Sequence, residues 1–243
     1  MQKLLSYVRR AVDDYSMINE NDHITVGISG GKDSLTLLYA LAKLREFYPK
    51  KFTLSAVTLS MGYKGMNFDA VKKLCDELGV EYIIKETDIA EILFDIRKEK
   101  NPCSLCAKMR RGALHDAALE LGSHKVALGH HLDDALETFM LSLIYEGRIN
   151  CFSPVTYLDR KDITLIRPLL YTPEIYVSGF TQRYDLPVVK NLCPADKNTK
   201  REYVKDLVKK LEKENPGFKT RLFTAIEGGK VGGFGVFNPE IQI

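Results

Sequence analysis

Apolar residues recur along this chain at two spacings, and the spacings predict alternating helices and strands. Residues 3–17 place apolar side chains three or four positions apart, which is typical of an amphipathic helix. Residues 24–28, Ile-Thr-Val-Gly-Ile, form a short apolar run that is typical of a buried strand. Further helices are predicted near 33–46, 71–78, 108–121, 133–145, 174–184 and 204–211. Further strands are predicted at 53–59, 80–84, 125–128, 163–166 and 187–189.

The alternation of these elements predicts the fold class. Strands that alternate with helices form βαβ units, which build a parallel sheet with helices on both faces. We therefore expect an α/β fold of this kind, in one domain that spans residues 1–227. The remaining segment, 228–243, begins with closely spaced glycines and is predicted to be a flexible tail.

Composition and charge narrow the function classes. The chain has 243 residues, of which 45% are hydrophobic, and a formal net charge of +3. This mild basicity permits an RNA partner but is weaker than that of a dedicated nucleic-acid-binding protein. Arg9 and Arg10 interrupt the apolar start, and no apolar run reaches the ~18 residues of a membrane helix. We therefore expect a cytoplasmic protein with no membrane partner.

A glycine-rich loop follows the first predicted strand. Its sequence from Ser29 to Ser34 is Ser-Gly-Gly-Lys-Asp-Ser. A P-loop would need glycine at Val26 and a hydroxyl residue at Asp33. The dinucleotide-binding fingerprint would need glycine at Ser29. The loop therefore matches neither of these common nucleotide motifs.

The loop nevertheless has the properties of an anion site. Gly30 and Gly31 allow the backbone to approach a phosphate, and the next helix directs free N–H groups at the loop. Ser29, Lys32 and Ser34 add side-chain donors. The alternative is a strand-to-helix turn whose glycines serve only the backbone. The complete six-residue string between a strand and a helix favours phosphate binding.

A second motif follows the strand at 125–128. It runs from Gly129 through His130 and His131 to the adjacent carboxylates Asp133 and Asp134. Ligands bind at the carboxyl edge of α/β sheets, so this motif is expected near the glycine-rich loop. The carboxylates could hold Mg²⁺ beside a triphosphate or cap the following helix. The histidines could be metal ligands or have a structural hydrogen-bonding role, and the second is favoured.

Three cysteines form a further candidate site. Cys103 and Cys106 make a C-x-x-C pair, and Cys193 lies much later in the chain. The pair alone is compatible with zinc, redox or iron–sulfur chemistry. Three cysteines can hold a cubane cluster and leave one iron without a protein ligand, whereas a closed zinc site requires four ligands. Cys75 is predicted to be a core residue, and Cys151 has no motif partner.

These motifs together resemble a known enzyme family. The loop resembles that of the PP-loop ATPases, also described as adenine nucleotide alpha hydrolase-like, and the second motif resembles lysidine synthetases and 2-thiocytidine-forming enzymes. The three cysteines resemble the tRNA 2-thiocytidine biosynthesis family of tRNA-cytosine 2-sulfurtransferases. The matching strings are SGGKDS at 29–34, PCSLCAKMRRG at 102–112, GHHLDD at 129–134, IRPLLY at 166–171, NLC at 191–193 and ENPGFKTRLFTAI at 214–226.

The resemblance assigns roles to the motifs. It implies that Ser29 to Ser34, with Gly129 and His130, bind ATP, and that ATP is cleaved to AMP and pyrophosphate. It implies that the three cysteines ligate a [4Fe–4S] cluster. It implies that Asp133, with Asp134, holds Mg²⁺, or that Asp133 assists catalysis. Arg110 would steady negative charge or bind RNA phosphate, although its basic run could equally be a solvated helix face.

The implied reaction is ATP-dependent thiolation of tRNA at C2 of a cytidine, with position 32 as the expected target. A cysteine desulfurase or another donor would supply the sulfur, and a homodimer is one assembly that the sequence leaves open. The alternatives are modification of another RNA base or a small molecule, including lysidine-type chemistry, and a non-catalytic nucleotide- or metal-binding regulator.

Two features depart from the family pattern. Lys190 stands where some members have the first cysteine of a second C-x-x-C pair, and the segment 60–65 is shorter than expected. The second departure affects the region expected to hold substrate or adenine.

A basic group is also predicted to contact RNA phosphates; its members are Arg110, Arg111, Lys197, Lys200, Arg201, Lys205 and Lys209.

Overall fold

A six-stranded sheet forms the centre of the computed structural model, which describes residues 1–63, 65–98, 102–190, 192–193 and 200–237. The strands are β1 Asp22–Ile28, β2 Phe52–Ser60, β3 Glu81–Glu86, β4 Lys125–Ala127, β5 Val155–Leu158 and β6 Ile163–Ile166. Their order across the sheet is β3-β2-β1-β4-β6-β5. Neighbouring strands are parallel except for β5 and β6, which are antiparallel.

Helices connect the strands and complete the chain. They are α1 Gln2–Asp14, α2 Lys32–Leu44, α3 Asp69–Glu77, α4 Ile89–Glu91, α5 Pro102–Glu120, α6 Leu132–Leu141, α7 Glu174–Arg183, α8 Lys200–Glu214 and α9 Phe218–Gly228. The short α4 continues into a π-helical turn, Ile92–Ile96, and α6 into another, Ser142–Glu146. Within the described residues, no helix combines the length and apolar character that a membrane span requires.

The predicted α/β class, a parallel sheet with helices on both faces, is confirmed. Apolar patterning explains the packing. The helix α2 is apolar around most of its circumference, and nine of its residues are buried, so it lies deep in the core. By contrast α1 buries one face, formed by Leu4, Val8, Ala11 and Val12. Parallel strands buried on both faces read as continuous apolar runs, as β1 does.

Two sequence predictions of local structure differ from the observed elements, and one observed strand was not predicted. No strand forms at 187–189; Val189 instead donates its N–H to the Gly30 carbonyl oxygen at 2.9 Å. That prediction rested on the β-branched pair at 188–189. It was wrong because Val189 of this pair hydrogen-bonds to one backbone carbonyl group and does not pair with a strand. The helix α5 begins at Pro102, six residues earlier than predicted, since proline is favourable at the first helical position. The antiparallel β5 was not predicted.

The C-terminal segment packs against the body of the protein. Phe234, which lies in the segment predicted to be a flexible tail, is fully buried and contacts Tyr15, Phe152 and Phe223. The N–H of Gly235 donates to the Tyr15 hydroxyl at 3.0 Å. Residues 228–237 therefore carry a core contact, while 238–243 lie outside the described residues. The domain boundary after residue 227 stays a prediction.

Candidate functional site

Hydrogen bonds within the segment between β1 and α2 hold it in a tight loop. The Ser34 hydroxyl donates to the Gly31 carbonyl oxygen at 2.9 Å and accepts the Ser29 N–H at 3.2 Å. Gly30 has a φ of +79°, and a Cβ there would stand 2.9 Å from Cβ of Val189. Glycine is required because both the backbone conformation and the space exclude a side chain. Since α2 begins directly after the loop, its positive dipole end faces this point, which suits an anion.

A lysine of the loop is held between two carboxylates. Lys32 Nζ lies 2.8 Å from Asp33 Oδ1 and 3.1 Å from Glu174 Oε1. Burial lowers the pKa of Lys32, but the hydrogen bonds to these carboxylates outweigh it and raise that pKa above its ordinary value. Burial would raise the pKa of Glu174, yet hydrogen bonds from Lys205 and Lys32 lower it to about 2. Both groups are therefore charged at neutral pH.

The second motif lies directly against the loop. A Cβ on Gly129 would stand 3.0 Å from the backbone carbon of Asp33 and 3.0 Å from the nitrogen of Ser34. His131 Nε2 lies 3.7 Å from Asp33 Oδ1. The two motifs meet because they follow β1 and β4, which are neighbours in the sheet. This contact is the proximity that the sequence predicted.

The two histidines have different surroundings. His131 is the N-cap of α6: its Nδ1 accepts the Asp134 N–H at 3.3 Å, and Asp134 Oδ2 accepts the His131 N–H at 3.0 Å. This is a reciprocal capping box. The His130 ring packs on Phe152 with ring centres 5.1 Å apart. Burial, with a smaller contribution from Arg167, lowers the pKa of His130 to about 4.

The adjacent carboxylates Asp133 and Asp134 have protein donors on all four oxygens. Asp133 Oδ1 accepts Lys219 Nζ at 2.5 Å, and its Oδ2 accepts the Glu174 N–H at 2.6 Å. Asp134 Oδ1 accepts Arg201 Nη2 at 3.0 Å, and its Oδ2 belongs to the capping box. An ionised carboxylate oxygen can accept more than one partner, so a Mg²⁺ ion would share these oxygens with the donors or displace them. Magnesium ligation by Asp133 and Asp134 stays a prediction.

Two of the three motif cysteines lie in the first turn of α5. Cys103 is exposed and Cys106 is half-buried, and their i, i+3 spacing places them on one face. Burial raises the pKa of the Cys106 thiol, which a hydrogen bond from Arg110 and that residue's charge partly offset. Cys193 hydrogen-bonds with Tyr63, a residue that also lies near Cys106 and Arg110. The structure therefore brings Arg110 and the thiols into one neighbourhood.

The three thiols are donors of the type that binds iron–sulfur clusters. Among residues in the described ranges, no group of three His, Cys, Asp or Glu side chains could hold one metal ion. A tetrahedral zinc site requires ligands that converge on one centre. In a cubane cluster each cysteine binds a different iron, so the sulfur atoms stand further apart. The donor type of the three thiols fits a [4Fe–4S] cluster, and this ligation stays a prediction.

The predicted RNA-contacting residues divide into two groups. Arg201 and Lys205 reach inward: Arg201 pairs with Asp134 and Glu137, and Lys205 with Glu174. Others lie at the surface: Arg110 and Arg111 are exposed, Lys200 lies over the Tyr145 ring and Lys209 pairs with Asp206. Lys197 lies outside the described residues. For Arg201 and Lys205 the structure shows carboxylate partners rather than a free phosphate-binding face.

Three residues of the site were missed from the sequence. Glu174 was placed only as a helix start, Lys219 only as part of a matched string, and Tyr63 only within a segment of unexpected length. The sequence marks Glu174 as a helix start, because an acidic residue directly after proline commonly begins a helix, but it shows no partner for the carboxylate. For Lys219 no local signal existed, since its partner Asp133 is 86 residues away.

Comparisons with known proteins identify the family of this chain. A family model described as a PP-loop domain matches residues 3–211. A tRNA-cytidine(32) 2-sulfurtransferase from Geobacter sulfurreducens is 39% identical over 231 residues, covering 93% of this chain and 89% of that protein. One from Pelobacter propionicus is 40% identical over 228 residues, covering 93% and 85%.

A solved structure is also similar. It is the U34-tRNA thiolase NcsA from Methanococcus maripaludis with its [4Fe-4S] cluster, which is 29% identical to this chain. The TM-score is 0.77, and the match covers 93% of this chain and 77% of the thiolase. The chain therefore belongs to the PP-loop family and, within it, to the family of the tRNA-cytidine(32) 2-sulfurtransferases.

Proposed function

We propose that this protein is an ATP-dependent tRNA sulfurtransferase that replaces the C2 oxygen of cytidine 32 by sulfur. One observation carries the proposal. Val189 is hydrogen-bonded to Gly30 of the anion-binding loop, and Cys193 lies four residues further along the chain. The segment that bears one motif thiol therefore starts at the candidate nucleotide loop. A site that joins ATP chemistry to sulfur chemistry needs this proximity.

The first half of the reaction activates the base. The C2 oxygen of the cytidine attacks the α-phosphorus of ATP, the bond to the β-phosphate breaks, and pyrophosphate leaves. Lys32 and the N–H groups at the start of α2 stabilise the negative charge of the phosphates. The adenylated oxygen is a good leaving group, which the C2 oxygen of cytidine is not.

The second half replaces the activated oxygen. We propose that Cys103, Cys106 and Cys193 hold a [4Fe–4S] cluster. When bound, it supplies an iron without a protein ligand that can hold a sulfur nucleophile. Sulfur attack at C2 breaks the C2–O bond and releases AMP. Arg110, beside Cys106, stabilises the negative charge of the leaving AMP or binds an adjacent RNA phosphate.

The partners follow from this chemistry. The target base must leave its stack to reach the site, which is easiest in a single-stranded loop of the tRNA. A cysteine desulfurase or another donor must supply sulfur together with the electrons that reduce it to the sulfide level.

Asp133 organises the site, because it links Lys219 to the start of α7.

A second candidate is thiolation of uridine 34. The similarity to the U34-tRNA thiolase favours it, although the identity of 29% is lower than the 39% and 40% of the cytidine(32) relatives. Both candidates use the same loop and thiols and differ in the base that enters the site. The nucleoside formed separates them.

The test is reconstitution of the purified protein. The protein, prepared without oxygen and supplied with iron and sulfide, is incubated with ATP, sulfide and unmodified tRNA. We expect 2-thiocytidine at position 32, one AMP for each thiolation, and no product with Cys103→Ala. Formation of 2-thiouridine alone would select the second candidate. Absence of both thionucleosides from cluster-loaded protein would contradict the proposal.

A further inference from the structure

The two C-terminal helices bring positive charge to the candidate nucleotide loop. Three of their side chains bind carboxylates of the site at short distances: Arg201 Nη2 to Asp134 Oδ1 at 3.0 Å, Lys205 Nζ to Glu174 Oε1 at 2.8 Å, and Lys219 Nζ to Asp133 Oδ1 at 2.5 Å. Ion pairs as well as apolar contacts therefore hold α8 and α9 against the site.

One of these pairs includes the loop lysine itself. Glu174 Oε1 accepts Lys205 Nζ at 2.8 Å and lies 3.1 Å from Lys32 Nζ. A single carboxylate oxygen thus joins α8 to the glycine-rich loop that contains Lys32. The position of Glu174 is fixed independently, because its backbone N–H donates to Asp133 Oδ2 at 2.6 Å. Glu174 is therefore a defined bridge between the two lysines.

The charge balance at this bridge matters for an anion. An ionised carboxylate beside a phosphate site repels phosphate and competes with it for the loop lysine. With both lysines present, Glu174 can stay neutralised by Lys205 while Lys32 turns to a phosphate. Without Lys205, Lys32 would be the remaining lysine on Glu174 and would have to leave an unpaired carboxylate behind. Such a carboxylate is costly where it is partly buried.

We propose that Lys205 is a positioning residue of the nucleotide site, which neutralises Glu174 so that Lys32 is available to the phosphates of ATP. The proposal rests on the proposed use of ATP and extends that site to α8. It also replaces the expectation that Lys205 faces RNA. Lys205 acts here through Glu174 and not by touching the nucleotide.

The test compares two lysines of the same helix. Lys205→Met removes the charge at the bridge, and Lys209→Met removes a charge that pairs at the surface with Asp206. ATP affinity is measured by titration calorimetry without RNA, together with melting temperature. We expect Lys205→Met to bind ATP about tenfold more weakly, which corresponds to the loss of one charge-assisted interaction. We expect Lys209→Met to change the ATP affinity by less than about twofold. Lys205→Arg should stay within about threefold of wild type, since the charge is kept.

A double-mutant cycle separates positioning from direct contact. In a Glu174→Gln background no carboxylate needs neutralising, so adding Lys205→Met should change ATP affinity by less than about twofold. A tenfold loss that persists in this background would overturn the proposal, because Lys205 would then act on the phosphates directly. The Glu174→Gln variant keeps the backbone bond to Asp133, so it should fold.

The outcomes also distinguish this proposal from the proposed function. Equal ATP affinities of wild type and Lys205→Met would refute the proposed role of Lys205 and leave the proposed function standing. Wild-type protein that does not bind ATP refutes both. Weakened binding by Lys205→Met with unchanged melting temperature, absent from Lys209→Met, supports the role of Lys205.

Discussion

Gly129 lies against the backbone of Asp33, where a Cβ atom on Gly129 would stand 3.0 Å from the Asp33 carbonyl carbon. The contact joins the loop that follows β1 to the motif that follows β4. No side chain separates the two backbones at this point. The relative position of the two motifs therefore depends on the absence of a single methyl group.

A methyl group at this position should separate the motifs. Gly129→Ala is expected to destabilise the fold by about 1–3 kcal/mol, the usual cost of overpacking, and to weaken ATP binding. Thermal denaturation and calorimetry measure the two effects. The matched control is Gly179→Ala in α7, where an added Cβ meets nothing within 4 Å. Equal ATP affinity in the Gly129→Ala variant and wild type would show that the contact does not shape the site.

The products of ATP cleavage are a second prediction. PP-loop chemistry should release AMP and pyrophosphate, and Asp33→Ala should reduce turnover with little change in melting temperature. Ser34→Ala should lower both, because the hydroxyl is buried and bonded to Gly31 and Ser29; its loss costs about 1 kcal/mol. Chromatography of labelled nucleotides identifies the products. ADP and phosphate as the main products would contradict this reading of the loop.

The sequence predicted the parts of the site that depend on neighbouring residues. The glycine-rich loop and the Gly129 motif could be placed together because each follows a buried apolar strand of a parallel sheet. The helix start at Pro102 was missed because a proline followed by cysteines also reads as a turn. The antiparallel β5 was missed because its four residues precede a charged turn at 159–162 and bear no strong alternation.

The rest of the site depends on contacts between distant residues. Lys219 and Asp133 are 86 residues apart, and Lys205 and Glu174 are 31 apart. A single sequence shows charge at each of these positions but not which charge meets which. The same limit hid the carboxylate partners of Arg201 and Lys205, while their predicted contact with RNA stays a prediction. Side-chain pairing across the sheet edge had to come from the structure.

The cysteines provide a third prediction. Protein purified or reconstituted without oxygen should contain about four irons and four sulfides per chain. Changing Cys103, Cys106 or Cys193 to alanine should remove the iron. Cys75→Ala is the matched control, because Cys75 is buried in the core and should leave the iron content unchanged. Iron and sulfide analysis with visible absorption spectroscopy measures the content.

A different metal would change the account of the sulfur chemistry. Stoichiometric zinc with full activity and no iron would refute the cluster while leaving the ATP chemistry intact. A C-x-x-C disulfide in protein handled in air would disappear on reduction. Iron retained by all three cysteine variants would show that the thiols are not its ligands.

His130 provides a prediction on pH and stability. Its pKa is lowered from 6.5 to about 4, mainly by burial, with Arg167 adding and Asp134 opposing. A group whose folded pKa is depressed stabilises the fold above its unfolded pKa, and that stability is lost as the pH falls from about 6.5 toward 4. Between pH 7 and 5 the loss should be about 2 kcal/mol.

Replacing the imidazole tests that loss. His130→Phe keeps a ring against Phe152 and cannot be protonated. The variant should lose less stability than wild type between pH 7 and 5, as measured by denaturant unfolding at both values. An identical pH dependence of wild type and His130→Phe would show that His130 does not titrate in this window.

The most direct test of tRNA thiolation is mass spectrometry of tRNA nucleosides from cells with and without the gene. We expect 2-thiocytidine in tRNA from cells with the gene, its loss on deletion, and its return with wild-type protein but not with Cys193→Ala. Mapping of the digested tRNA should place the modification at position 32. Unchanged 2-thiocytidine after deletion, in cells with no second gene of this family, would contradict the account.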